Sequence, residues 1–154
     1  MNTLKKHSQA ELHQQQSLSE LLRNTTLPAE ELNENLGLYI NRQTFSRFCF
    51  MYELYQRILP IHGSIFEFGV RWGQDLALWT HLRGMLEPYN YNRRLVGFDT
   101  FEGFPEVAEQ DGEHDIVQKG AYATAADHPE HLKQLLKTHE QNSPLSHIEK
   151  HELV

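Results

Sequence analysis

The chain has 154 residues, 39% of them hydrophobic and 23% charged, which is the composition of a globular protein rather than a disordered one. Its formal net charge of −7 argues against a large nucleic-acid-binding surface, because such surfaces need clustered lysine and arginine. No apolar run approaches the roughly 20 residues of a membrane span, and the N-terminus does not resemble a secretory signal. With a single cysteine, Cys49, the composition predicts a cytoplasmic protein without an intramolecular disulfide.

The first part of the chain is predicted to be helical. Residues 1–24 are rich in glutamine, serine and histidine, and they predict a flexible tail or a short helix. Residues 28–36 begin with proline followed by acidic residues, as helix N-termini often do. Residues 43–59 carry apolar side chains at helical spacing, and the proline that follows ends this helix. Residues 25–60 are therefore predicted to form a helical extension that precedes the main domain.

The remaining residues, 61–154, alternate short β-type runs with helical segments. In chain order they are a strand at 64–70, a helix at 73–85, a strand at 93–99, a helix at 128–142 and a strand at 146–154. This alternation is typical of parallel βαβ units and predicts an α/β doubly wound sheet. Residues 102–127 show no periodicity and predict a long loop. The acidic residues concentrated between positions 99 and 115 predict a solvated stretch of this loop or a lid beside a metal.

The turn after the first strand carries the functional signal. Ligands of open α/β sheets bind at the carboxyl ends of the strands, and Gly69 would let the backbone approach a ligand there. Gly73 opens the following helix, and Glu67 places an acid beside the same crevice. Asp99 ends the second strand, where an acid accepts hydrogen bonds from ribose hydroxyls in βαβ nucleotide sites. The arrangement predicts a site for a nucleoside-like ligand.

The glycine spacing argues against a dinucleotide. A G-x-G-x-x-G fingerprint that starts at Gly69 would need glycines where the chain has Arg71 and Gln74, and such side chains would crowd a pyrophosphate. S-adenosylmethionine carries no phosphate, so the departure favours this methyl donor over NAD. Two alternatives remain open: a non-catalytic binding module with the same fold, and a nucleotide-dependent oxidoreductase domain.

The segments EFGVRWGQDLALW and RRLVGFDTFEGFPE resemble the macrocin O-methyltransferase family, which methylates deoxysugar hydroxyls in natural product biosynthesis. The most specific part is GFDTFEGFP at 97–105, and the resemblance covers residues 25–154. It implies a Rossmann-like class I methyltransferase fold, S-adenosylmethionine as cofactor, a divalent metal (usually magnesium) and a sugar or sugar-bearing small molecule as acceptor.

The resemblance assigns seven residues to S-adenosylmethionine. Asp99 would bind the ribose hydroxyls, and Arg71 would neighbour the methionine carboxylate. The others are Glu67, Gly69 and Gly73, which would line the methionine and ribose portion, and Thr100 and Phe101, which would flank the site.

The family places its metal ligands and catalytic base after the third strand, where this chain ends at Val154. The expected fold is therefore truncated after its third strand, and the catalytic residues are not assigned. In the family sheet the first strand has neighbours on both sides, whereas here one edge would be open, and open apolar edges invite pairing. We therefore expect a chain that is inactive alone and that self-associates or binds a complementary C-terminal fragment.

Overall fold

The computed structural model of the chain describes residues 8–104, 106 and 119–154. Most of the predicted acidic stretch, including Glu109, Asp111, Glu113 and Asp115, lies outside these residues. The chain divides into two compact units, one that ends at Phe50 and one over residues 51–154. The division falls within a helix, whereas the sequence places it after residue 60. Among the described residues, no helix has both the length and the apolar character needed to cross a membrane.

The first unit contains helix α1 (Gln9–Arg23), helix α2 (Ala29–Leu32), a short 3-10 helix (Leu36–Leu38) and the start of helix α3 (Arg42–Ile58). A capping box begins α1: the Ser8 hydroxyl accepts a hydrogen bond from Glu11 N, and the Glu11 carboxylate accepts one from Ser8 N. Of the two predictions for residues 1–24, a flexible tail or a short helix, the structure thus shows a helix over Gln9–Arg23.

The helix predicted over 28–36 is shorter than expected. Helix α2 ends at Leu32, and the 3-10 helix follows after a turn. The side-chain amide of Asn35 donates to the backbone carbonyl of Glu31 at 2.8 Å. Such local bonds from asparagine compete with continued helix, which accounts for the early end of α2.

The second unit is built on a parallel sheet, as predicted. Its strands are β1 (Ile65–Phe68), β2 (Leu95–Phe98) and β3 (His151–Leu153), in the spatial order β1-β2-β3. Helices α4 (Gln74–Leu86) and α5 (His128–Glu140) connect them. β3 is shorter than the predicted run because the chain before it turns: Leu145 has a left-handed φ of 62°, and Lys150 Nζ donates to its carbonyl at 3.0 Å.

One face of the sheet is covered by α4 and α5. In the middle strand, a Cβ added to Gly97 would lie 2.6 Å from Leu76 of α4, so the helix packs directly on the strand. The second half of α3 contributes to the same core. Its buried members are Met51, Tyr55, Val70, Leu76, Trp79, Leu82, Leu95, Leu132 and Leu136.

The opposite face is open around β1. Phe66 and Phe68 are 60% and 77% exposed, and the ring of Phe68 stacks on Phe98 with centroids 5.0 Å apart. Within the described part of the chain, β1 also forms one edge of the sheet. Among the described strands, β1 is thus the edge strand with the exposed aromatic face.

A buried charge cluster joins α4, α5 and the start of β3. Glu140 pairs with both Arg83 and Lys150, and all three side chains are buried. Arg83 also donates to the carbonyl of Lys150 at 3.2 Å. Burial lowers the pKa of Arg83 to about 10, so this guanidinium stays charged at neutral pH. The cluster anchors β3 beside β2.

A second polar network sets the start of β1 against β2. Glu87 accepts hydrogen bonds from the hydroxyl of Tyr55 at 2.7 Å and from Arg93. Although burial raises the pKa of Glu87, the hydrogen bonds from Arg93, Tyr55 and Asn90 outweigh it and lower that pKa overall. Arg93 also reaches backbone carbonyls in the segment between α3 and β1, namely those of Ile58, Ile61 and Gly63.

Candidate functional site

A cleft of about 390 Å³ lies at the carboxyl ends of β1 and β2. Three of the predicted site residues, Gly69, Arg71 and Asp99, line it together, as the βαβ topology requires. The other lining residues are Phe98, Gly103, Phe104, Ala121 and Tyr122. Among the described lining residues most are apolar, and Asp99 and Arg71 supply a carboxylate and a guanidinium.

Asp99 ties together the two loops that form the cleft. Its Oδ2 accepts a hydrogen bond from Arg71 N at 2.7 Å, and its Oδ1 accepts one from Phe101 N at 2.7 Å. A carboxylate offers about four acceptor positions, so these two bonds leave acceptor capacity on both oxygens. Asp99 can thus shape the cleft and still accept hydrogen bonds from a ligand.

Left-handed backbone is concentrated around this cleft. Three residues other than glycine adopt it: Arg71 with φ 49°, Phe101 with φ 59° and Tyr122 with φ 67°. Such conformations cost about 1–3 kcal/mol each and cluster at binding sites, where the surroundings hold them in place. The strain therefore supports a functional role for these loops.

The two glycines predicted at the first turn have different roles. Gly69 has φ 84°, and a Cβ added there would meet nothing within 4 Å, so its bare backbone faces open space. Gly73 has φ 77° and is the N-cap residue of α4, but an added Cβ would lie 2.4 Å from Leu132 of α5. Gly69 leaves room for a ligand, whereas Gly73 leaves room for helix packing.

The remaining predicted residues lie near the cleft without lining it. Phe101 packs against the core, and its carbonyl accepts a hydrogen bond from Thr124 N at 2.9 Å. The Thr100 hydroxyl donates to the Gly103 carbonyl at 3.4 Å and helps to shape the turn after β2. Glu67 is half-buried on β1 and shares a face with Ile65, because side chains alternate along a strand.

The far wall of the cleft, formed by Gly103, Phe104, Ala121 and Tyr122, was not predicted from the sequence. Phe104 N donates to Ala121 O at 3.1 Å, and Gly120 N donates to Phe104 O at 2.9 Å. A Cβ on Gly103 would lie 2.2 Å from Ala121 O, so only glycine permits this close approach. Gly103 and Phe104 belong to the motif GFDTFEGFP, which signalled their importance, but Tyr122 has no local signal.

The far wall of the cleft is aromatic, and the guanidinium of Arg71 lies against it. The guanidinium carbon of Arg71 lies 4.8 Å from the ring centroid of Tyr122 and 5.9 Å from that of Trp72. Both distances are within the range of cation–π attraction. The edge of Phe104 contacts Tyr122, with centroids 5.7 Å apart, and Trp72 packs edge-on against His128 at 4.8 Å.

A larger cleft, of about 840 Å³, contains none of the predicted site residues. It is lined mainly by charged side chains of α5, of β3 and of the residues beside them: Arg94, Glu130, Lys133, Gln134, Lys137, Glu149, His151, Glu152 and Leu153. Size alone does not identify a site, and the smaller cleft has the strained backbone, the open glycine and the topology expected of a ligand site.

Comparison with known proteins shows similarity to CalS11. A crystal structure of CalS11, calicheamicin methyltransferase, is 38% identical with a TM-score of 0.95, and the match covers 100% of this chain and 61% of that one. The apo structure of CalS11, a TDP-rhamnose 3′-O-methyltransferase of calicheamicin biosynthesis, is 35% identical with a TM-score of 0.81 over 98% of this chain and 57% of that one. No protein-family model and no curated protein matches the chain.

These similarities confirm the predicted Rossmann-like methyltransferase fold. The chain spans less than two thirds of the length of the two CalS11 chains that it matches.

Proposed function

We propose that the chain is the cofactor-binding part of an S-adenosylmethionine-dependent O-methyltransferase that acts in the cytoplasm on a sugar hydroxyl during natural product biosynthesis. The observation that carries the proposal is the position of Asp99, which keeps acceptor capacity beside the bare backbone of Gly69. The similarity to CalS11 supports a sugar as the acceptor, because CalS11 is described as a TDP-rhamnose 3′-O-methyltransferase.

The residues of the cleft fit this methyl donor. The free acceptor positions of Asp99 suit the two ribose hydroxyls, and the apolar wall suits the adenosyl group. Arg71 supplies a positive charge for the carboxylate of the methionine portion. When bound, the donor supplies a methyl group on a sulfonium, which an acceptor hydroxyl attacks in line. The contribution of this chain is to hold and orient the donor for that attack.

Magnesium does not fit the described residues in the same way. Over residues 8–104, 106 and 119–154, no three histidine, cysteine, aspartate or glutamate side chains are grouped so that they could hold a metal ion. Any metal site and the catalytic base would lie elsewhere, as the macrocin O-methyltransferase resemblance implies.

We also propose that the open flank at β1 binds a partner, either a second copy of the chain or a complementary C-terminal fragment. The support is the combination of an edge strand with the exposed rings of Phe66 and Phe68. A complementary fragment would correspond to the part of the CalS11 chains that this chain does not cover.

A non-catalytic module that only binds the donor is the second candidate, because the roles assigned to Asp99, Gly69 and Arg71 in the cleft are all ligand-binding ones. An oxidoreductase domain is disfavoured, because the side chain of Arg71 lines the cleft where a pyrophosphate would need bare backbone.

Calorimetric titration with S-adenosylmethionine, S-adenosylhomocysteine and NAD tests the proposal. We expect the first two to bind and NAD to fail. Asp99→Asn should weaken both adenosyl ligands by about tenfold or more, because hydrogen bonds to a charged acceptor are lost. Asp127→Asn is the matched control, since Asp127 is exposed and forms no side-chain cap on α5. Binding of NAD alone, or of no ligand, would overturn the proposal.

A further inference from the structure

The contact between Arg71 and Tyr122 places a cation over an aromatic ring inside the cleft. The guanidinium carbon is 4.8 Å from the ring centroid, and both residues line the cleft beside Asp99. An aromatic face in such a position attracts any cation of suitable size, whether it belongs to the protein or to a ligand. The ring of Tyr122 is therefore a cation-binding surface with Arg71 on it.

The proposed methyl donor carries two groups that match this pair. Its carboxylate is complementary to the guanidinium of Arg71, and its sulfonium is a cation separated from that carboxylate by three carbon atoms. The sulfonium thus lies a few ångströms from the carboxylate, a separation comparable to the distance between Arg71 and the ring of Tyr122.

We propose that Tyr122 is a specificity-determining residue that selects the sulfonium form of the cofactor. On binding, the donor's carboxylate draws Arg71 away from the ring, and the sulfonium takes its place over Tyr122. This inference rests on the proposed function, since it assumes that the cleft binds S-adenosylmethionine.

The backbone holds Tyr122 in the position that this role needs. Its φ of 67° is costly for a bulky residue. Gly120 and Ala121, which precede Tyr122 in the chain, form backbone hydrogen bonds with Phe104, and these bonds hold residues 120–122 against the turn after β2. The edge of Phe104 lies against the ring, with centroids 5.7 Å apart. The direction of the aromatic face is thus set before any ligand arrives.

Loss of the methyl group removes the positive charge from sulfur. S-adenosylhomocysteine keeps the ribose, the adenine and the carboxylate, so Asp99 and Arg71 hold it as well as they hold the donor. Tyr122 would lose its partner when the product forms. The pair therefore distinguishes donor from product through the positive charge that the methylated sulfur carries, and it favours product release.

Calorimetric titration of the full 154-residue chain with S-adenosylmethionine and with S-adenosylhomocysteine tests this role. Tyr122→Leu removes the aromatic face and, with it, the Arg71 contact that either ligand has to break. The ratio of the two affinities should therefore shift by about three- to tenfold towards S-adenosylhomocysteine. Tyr122→Phe keeps the ring and should behave as the wild type. Arg71→Met should weaken both ligands equally, because both carry the carboxylate.

A second variant without the aromatic ring keeps the test valid if Tyr122→Leu misfolds. Tyr122→Asn suits the left-handed backbone, and it should reproduce the shift in the affinity ratio expected for Tyr122→Leu. An unchanged ratio of the two affinities in a folded ring-deleting variant would refute the role of Tyr122 while leaving the proposed function intact. If the wild type bound neither adenosyl ligand, the proposed function would fail and this inference would fail with it.

Discussion

The two faces of the sheet differ in how deeply their side chains are buried. On the covered face, α4 and α5 bury an apolar core and even a set of charges, Arg83, Glu140 and Lys150, which compensate one another. On the open face, Phe66 and Phe68 remain mostly exposed on β1, the edge strand of the described sheet. The covered face supplies the stability of this unit, whereas the open face offers apolar surface to a partner.

The largest expected effect is on the covered face, at Glu140. Glu140→Gln should lower the free energy of unfolding by about 3–5 kcal/mol, because Arg83 and Lys150 would stay buried without a compensating charge. Urea unfolding followed by circular dichroism measures the change.

The matched control for that change is Glu152→Gln. The Glu152 carboxylate pairs with Arg94 at 2.9 Å, but both side chains are 49% exposed, so the loss should stay below about 1 kcal/mol. Similar losses of unfolding free energy in the two variants would show that the buried charge of Glu140 contributes no more to stability than an exposed one.

A smaller effect is expected at Gly97, between β2 and α4. Gly97→Ala should lower the free energy of unfolding by about 1–3 kcal/mol, because the added methyl group would overlap Leu76 and Val70. Gly84→Ala on α4 is the control of opposite sign. It has open space around it and should stabilise the helix by about 0.5–1 kcal/mol. Thermal unfolding of both variants checks the prediction, and a neutral Gly97→Ala would contradict the tight packing.

The smallest effect on stability is expected on the open face. Phe68→Ser should lower the free energy of unfolding by about 0.5–1 kcal/mol, because the side chain is mostly exposed and loses little beyond its stacking on Phe98. If the open flank binds a second copy, the same substitution should reduce self-association in sedimentation velocity. Phe45→Ser, at another exposed phenylalanine, serves as the control. A monomeric wild type, or equal effects of the two substitutions, would argue against self-association through β1.

Much of the second unit could be predicted from local patterns. Helix α5 follows from an apolar face that repeats along the helix and from the proline near its start. Gly69 and Asp99 were placed at strand ends by the alternation of strands and helices, and parallel topology then brings such ends to one edge of the sheet. These predictions held because each depends on a short stretch of chain and one general rule of packing.

The prediction that Glu67 and Asp99 share one crevice is only partly met. Asp99 lines the cleft, whereas Glu67 lies two residues before the bend at Gly69 and is not among the cleft residues. The sequence placed an acid near the crevice, but strand alternation turns its side chain to the face of Ile65. Whether Glu67 contacts the donor stays a prediction.

The sequence by itself determined the order of helices and strands, the parallel sheet and the strand-end position of Asp99, because periodicity and turn residues are local properties. Only the tertiary structure decided that Tyr122 meets Arg71 in the cleft and that Arg83, Glu140 and Lys150 share one buried cluster. These residues are far apart along the chain, and their contacts depend on nonlocal hydrogen bonds and helix packing, which leave no periodic signal in the sequence.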